Sequence, residues 1–148
     1  MLIEERTAIE APPAAVFAFF ERIEDRYLDW HPDHITFRWT TDEGFAVGAE
    51  AYFEEEIGGN VKRQTIRYHA VDPPERVAFH PTSRLIRILL PSISFTIEPT
   101  DDGSLVTQRI RIRTGPIGRR LNRTEFHALR EHVREEGEHL KRIVEADA

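Results

Sequence analysis

The last third of the chain constrains its fold most. Leu129, Val133, Leu140, Ile143 and Val144 recur at helical spacing, which predicts one amphipathic helix from about Arg119 to Ala146. Glu136 falls inside that apolar stripe, one turn after His132, so the two project from the same side. A carboxylate on a core-facing stripe is costly to bury unless it is paired or bound to a metal. The H-x3-E pair is therefore the sharpest chemical feature of the sequence.

A helix with one apolar stripe needs a second layer, and the rest of the chain supplies strands. Met1 to Glu10 reads as a strand that Ala11-Pro12-Pro13 breaks. A helix starts near Pro13 and runs to Arg22, with Val16, Phe17, Phe19 and Phe20 as its buried side. A second short helix ends at His31, because the residue before Pro32 avoids helical geometry. Strands follow over Ile35–Thr40, Gly48–Ile57, Val61–Val71, Arg76–His80, Arg84–Glu98 and Ser104–Thr114. Gly58-Gly59-Asn60 and Thr100-Asp101-Asp102-Gly103 are hairpin turns. Pro91 predicts a bend or bulge in the fifth of these six strands. The order implies an α+β architecture, in which a curved antiparallel sheet grips the long terminal helix and leaves a cavity between them. The whole chain, 1–148, reads as one domain.

Composition narrows the chemistry. There are no cysteines, so any metal site must use His and carboxylates. A formal charge of -6 argues against a general nucleic-acid binder. No apolar run approaches the roughly 18 residues of a membrane span, and the first residues lack an apolar signal core. The expectation is a cytoplasmic protein with no membrane and no nucleic-acid partner. Arg109, Arg111 and Arg113 alternate with apolar residues and read as a solvated strand face. With Arg119, Arg120 and Arg123 they offer the alternative of a basic patch for an anionic partner.

Ala11-Pro12-Pro13-Ala14-Ala15-Val16-Phe17 after strand one, the element order and the closing helix resemble the START-like superfamily (SRPBCC, the helix-grip fold) over essentially the whole chain. That fold hosts lipid carriers, hormone receptors, cyclases and hydrolases, so the resemblance implies a cavity for a small hydrophobic or aromatic molecule. A narrower likeness is to the zinc-dependent diacetylphloroglucinol hydrolases, which cleave a carbon–carbon bond beside a ketone on a phenolic ring. Their metal is held by two His and two Glu. Trp30-His31-Pro32-Asp33-His34, a Glu in Phe53-Glu54-Glu55-Glu56-Ile57, and His132 with Glu136 fit that order here.

Period two selects the strand carboxylate: Glu55 shares the parity of Ala49, Ala51, Phe53 and Ile57. Two bare carboxylates in one cavity repel each other, and a divalent cation removes that conflict. The resemblance thus implies His34, Glu55, His132 and Glu136 as metal ligands, with His31 as the alternative to His34. Zn²⁺ suits such a set, and Fe²⁺ or Mn²⁺ also accept it. Tyr27 and Tyr68 are candidates for gripping the ligand. His139 reads as a surface residue, and His69, His80 and His127 as ordinary strand or helix residues. Trp39, Phe45 and Phe79 read as core or cavity wall. Three functions follow as expectations: a metal-dependent hydrolase of a small aromatic or polyketide-like ketone, a non-catalytic carrier or sensor of an apolar ligand, and a metal-free cyclase or dehydratase with Glu55 and His132 as acid and base.

Overall fold

The computed structural model describes residues 1–147. Strand β1 (Leu2–Ile9) leads into helices α1 (Pro13–Glu21) and α2 (Ile23–Trp30). Strands β2 (His34–Trp39), β3 (Glu50–Ile57), β4 (Asn60–Asp72) and β5 (Arg76–Pro81) follow, then helix α3 (Arg84–Leu89). Strands β6 (Ser92–Thr100) and β7 (Gly103–Arg111) precede helices α4 (Pro116–Leu121) and α5 (Arg123–Asp147). The seven strands form one antiparallel sheet in the order β1-β7-β6-β5-β4-β3-β2. From β2 to β7 each strand pairs with its successor, and β1 closes on β7. This is the helix-grip α+β fold.

Local chemistry explains the boundaries. Pro13 starts α1 at a position where its missing N–H is harmless. The backbone of His31 is already extended (φ -150°, ψ 139°), as a residue before proline prefers, so α2 stops at Trp30. On α5, Val133, Leu140 and Val144 are buried. Burying such a side chain stabilises by roughly 1.5–3 kcal/mol. Leu140 and Val144 pack with Phe17, Phe19, Phe20 and Trp30 from α1 and α2 and with inward sheet residues such as Phe95 and Val106, while Val133 packs in a second cluster with Ile3, Ile93 and Ile110.

Two expectations need correction. Arg84–Glu98 is not one strand: Arg84–Leu89 forms α3, and the strand begins at Ser92. Ser83 caps the helix by accepting a hydrogen bond from the Ile86 amide (3.5 Å), and Leu90-Pro91 ends it. No residue of α3 is buried, so its apolar residues had no core face to report. The terminal helix is also broken, into α4 and α5. The Asn122 side chain folds back to donate to the Gly118 carbonyl (2.8 Å), and α5 begins at the next residue.

Gly137 sets how closely α5 approaches β1. A Cβ there would stand 2.5 Å from Thr7 Oγ1, well inside contact distance. Alanine is intrinsically better than glycine in a helix by about 0.8–1 kcal/mol, so the sign of Gly137→Ala depends on Thr7. We expect Gly137→Ala to destabilise the wild type by about 1–3 kcal/mol and to be neutral or stabilising in a Thr7→Ala background. Denaturant melts of the four proteins of this cycle check it, and equal effects in both backgrounds would refute the close approach.

Candidate metal centre

Two strands and one helix bring four chemically matched side chains together. His34 opens β2 and pairs in register with Glu55 on β3, and the ladder slips between His34 and Thr36. Such an irregularity re-aims side chains at a sheet edge. The His34 side chain is fully buried. Glu55 lines the cavity with Phe53, the face that period two assigns to it. Helix α5 lays His132 and Glu136 opposite, one turn apart and both buried. One donor atom from each of the four lies within 4.8 Å of every other.

The separations are those of ligands to a shared cation, and the shortest of them is also a hydrogen-bond distance. His34 Nε2 stands 3.0 Å from Glu136 Oε2 and 3.5 Å from Glu55 Oε2. His132 Nε2 stands 3.2 Å from Glu55 Oε2 and 3.7 Å from Glu136 Oε2. Ligands ~2.0–2.2 Å from a tetrahedral zinc are about 3.3–3.6 Å apart, and the four distances bracket that spacing. His132 Nε2 is buried with no hydrogen-bond partner: its contact with Glu55 fails on direction, and that with Glu136 on distance. His34 Nδ1 lies 2.7 Å from the Tyr27 carbonyl, which can only accept, so Nδ1 carries the proton. In the neutral ring, the bare Nε2 lone pair then faces a carboxylate oxygen. Something positive, a proton or a cation, must stand between them. The donor set therefore fits a divalent metal, with the nitrogen and oxygen ligands that Zn²⁺ accepts.

Titration in the metal-free cluster shows the same pressure. Burial alone pushes the His132 imidazolium pKa down, but contacts with Glu136 and Glu55 overcome this and raise it to about 10. Burial pushes the Glu136 carboxyl up, yet the facing His132 and His34 rings hold it well below the usual carboxylate range. His132 and Glu136 thus stabilise each other's charged forms.

A surrounding shell orients the four groups. Gln108 Nε2 donates to Glu136 Oε1 (3.3 Å), fixing the oxygen that does not face the cluster. Trp30 Nε1 donates to the Glu136 carbonyl (2.9 Å) and locks that turn of α5 to the end of α2. Tyr27 stacks flat on His34, with centroids 3.9 Å apart. Gln108 is not among the residues expected from the sequence. Its signal was present, since Gln108 shares the inward parity of Val106 and Ile110 on β7. His31 is buried, but its Nδ1 accepts from the Asp33 amide (2.9 Å) and its Nε2 faces Glu135 (3.3 Å). His31 and Asp33 come near His132 as a second His/Asp group, with Asp33 exposed. His139 is corrected from surface to half-buried, because its Nδ1 bonds the Trp30 carbonyl (2.9 Å). His69 and His80 stack on each other and, like His127, do not join the cluster.

The cluster sits at the edge of a narrow, mostly apolar cavity of about 80 Å³. Tyr27 and Tyr68 both line it, with Phe20, Phe53, Phe79 and Phe95 among its aromatic walls. Trp39 and Phe45 pack on the core behind Tyr68. Burial first, then the Glu55 and Glu136 charges, drive the Tyr27 phenol pKa far up, and burial does the same to Tyr68. Both hydroxyls therefore stay protonated and can donate to a ligand oxygen.

The family described as polyketide cyclase / dehydrase and lipid transport matches residues 2–145. Comparison with curated proteins finds no match. Among solved structures, TTHA0849 from Thermus thermophilus is similar with a TM-score of 0.79 at 16% identity, over 100% of this chain and 99% of that one. MLL2253 from Mesorhizobium loti gives 0.72 at 15%, over 100% and 99%. The Polyketide_cyc-like protein Cgl2372 from Corynebacterium glutamicum gives 0.62 at 20%, over 99% and 92%. At such identities these likenesses establish the fold alone. With the family match spanning nearly its whole length, the chain belongs to the polyketide cyclase/dehydrase and lipid transport family.

Proposed function

We propose that this protein is a zinc-dependent hydrolase of a small aromatic or polyketide-like ketone, with His34, Glu55, His132 and Glu136 holding the metal. The observation that carries this reading is the buried His132 Nε2, which has no hydrogen-bond partner and faces two carboxylates. Fe²⁺ or Mn²⁺ would suit the same ligands. Zinc held by such a set polarises a carbonyl oxygen and makes a water acidic near neutral pH.

The chain's own groups do the rest. The aromatic walls hold a flat ring and exclude bulk water from the carbonyl. The Tyr27 hydroxyl, which donates to Glu55 Oε2 (3.5 Å), would turn its proton to a phenolic or ketone oxygen of the ligand. The Tyr68 hydroxyl offers a second donor on the same cavity. Glu55 is the most exposed of the four ligands, with 17% of its side chain open, and faces the cavity. Hydrolysis of the carbon–carbon bond consumes one water, releasing a carboxylic acid and a protonated carbon. A second reading is a metal-free cyclase or dehydratase, supported by the family description and by His132, an acid 3.2 Å from the Glu55 base. A carrier of an apolar ligand would use the same cavity without chemistry.

Zinc titration by calorimetry, on chelator-treated protein without a histidine tag, separates these readings. We expect one tight site per chain, with His132→Ala and Glu136→Ala each weakening it more than about 100-fold. Gln108→Leu should weaken it about 10–100-fold, the usual effect of losing an outer-shell partner. Unchanged affinity in His132→Ala would sink the ligand set. Zinc-loaded protein should hydrolyse acylated phenols and lose that activity on chelation, and the metal-free cyclase would not.

The metal-free protein also has a defined pH response. His132, raised above its ordinary value of 6.5, contributes stability that is complete below 6.5 and lost as pH rises through about 10. Glu136, held below its ordinary 4.5, contributes stability that is present above 4.5 and lost as pH falls further. Chelated protein should therefore melt highest between these ordinary values, and His132→Gln should flatten the alkaline limb. A wild-type melting temperature independent of pH on that limb would contradict the assignment.

A further inference from the structure

Strand β4 carries two polar side chains on the face that should be apolar. By period two, Lys62 and Gln64 share the inward parity of Ile66 and Tyr68, which line the cavity. The register agrees: Lys62 pairs with Glu55 and Gln64 with Phe53, both cavity residues. Polar groups on such a face are expected to have partners. Gln64 Oε1 is buried and has no hydrogen-bond partner. The Lys62 ammonium forms no ion pair among the described residues, although Glu55 stands across the ladder; that carboxylate faces His34 and His132 instead.

Both side chains line an outer chamber of about 360 Å³, which shares Phe53, Glu55, Ile93, Ile110 and Leu129 with the cavity at the cluster. The inner cavity, at about 80 Å³, has room for on the order of five to eight waters. A substituted aromatic or polyketide ketone is larger than that, so part of it must lie in the outer chamber. The walls there are apolar apart from Glu55, Lys62, Gln64 and Glu125, and Glu125 is exposed to solvent.

Chemistry selects what the outer chamber holds. A divalent cation offsets the charges of Glu55 and Glu136, and Lys62 is then the cationic side chain left without a counter-charge on the chamber wall. An ammonium in that position selects an anionic oxygen. A buried amide oxygen can only accept, so it selects a hydroxyl or another donor. A few such polar groups on apolar walls are what orient a small molecule. Building on the metal-dependent reading above, we infer that the substrate is a hydroxylated acid. Its ketone reaches the metal in the inner cavity. Its anionic oxygen meets Lys62 and a neighbouring hydroxyl donates to Gln64 Oε1 in the outer chamber. Lys62 and Gln64 thus set which ketone is held and take no part in holding the metal.

Calorimetry on the full-length chain, loaded with one equivalent of zinc, tests this with three probes: meta-acetylbenzoate, its methyl ester, and the same acid with a hydroxyl at the second meta position. The wild type should bind meta-acetylbenzoate at least about tenfold more tightly than the ester, the usual effect of a charge-assisted hydrogen bond. The hydroxylated acid should bind about three- to tenfold more tightly again. Lys62→Met should bring acid and ester within about twofold of each other, with the ester's affinity unchanged. Gln64→Leu should erase the preference for the hydroxyl and keep the preference for the acid. Both variants should retain zinc like the wild type, and unchanged melting curves confirm that they are folded. Zinc-retaining wild type that binds acid and ester equally, or binds no probe, overturns the inference alone. So does equal loss of acid and ester in Lys62→Met, or an unchanged hydroxyl preference in Gln64→Leu. Wild type that retains no zinc overturns it together with the hydrolase reading.

Discussion

The carboxylate of Glu136 is the constraint on which the rest of this structure depends. It projects from the apolar stripe of α5 into the space between helix and sheet, where an isolated charge would be prohibitive. Its neighbours answer that charge. His34 Nε2 faces one oxygen, Gln108 the other, and His132 stands one turn before it. The opposing element must therefore present specific polar atoms at specific heights, which fixes the register between helix and sheet more tightly than apolar contact alone. Gly137, the next residue, lets α5 come close enough to Thr7 for these contacts to form.

Rigidity around that point makes the site useful. The Trp30 indole bonds the Glu136 carbonyl, and His139 bonds the Trp30 carbonyl, so α2 and α5 are stitched together twice. Tyr27, from the same short helix, lies flat on His34 and holds its Nδ1 through a backbone carbonyl. The imidazole is thus fixed in orientation and tautomer before any ligand arrives, the arrangement expected of a preorganised metal or acid–base site. The cavity beyond is apolar apart from these groups and the two tyrosines. Such a lining suits a small hydrophobic molecule.

The fold was legible where burial imposed a period. The α5 stripe, the α1 aromatics and the inward parity of Glu55 each followed from side chains that meet a core. Legibility failed where it did not. The apolar run of Arg84–Glu98 resembled a strand, but its first half is a helix with no buried residue, so that run reported nothing about packing. His139 looked like surface because a hydrogen bond to a backbone carbonyl leaves no mark in sequence. Gln108 shares the inward parity of Val106 and Ile110, but a polar residue beside Arg109 carries no sign of its own that it is buried. Convergence of His34 and Glu55 from neighbouring strands with two residues of one helix turn is a tertiary fact that no spacing encodes. Only the resemblance to a known ligand pattern anticipated it.

The central claim is that the four side chains share one metal ion. X-ray absorption at the zinc edge, on tag-free protein loaded with one equivalent of zinc, tests this most directly. The account predicts a shell of nitrogen and oxygen only, at ~2.0–2.2 Å, with the outer-shell scattering of two imidazoles. A featureless oxygen shell without imidazole scattering, or protein that retains no zinc after dialysis, would contradict it.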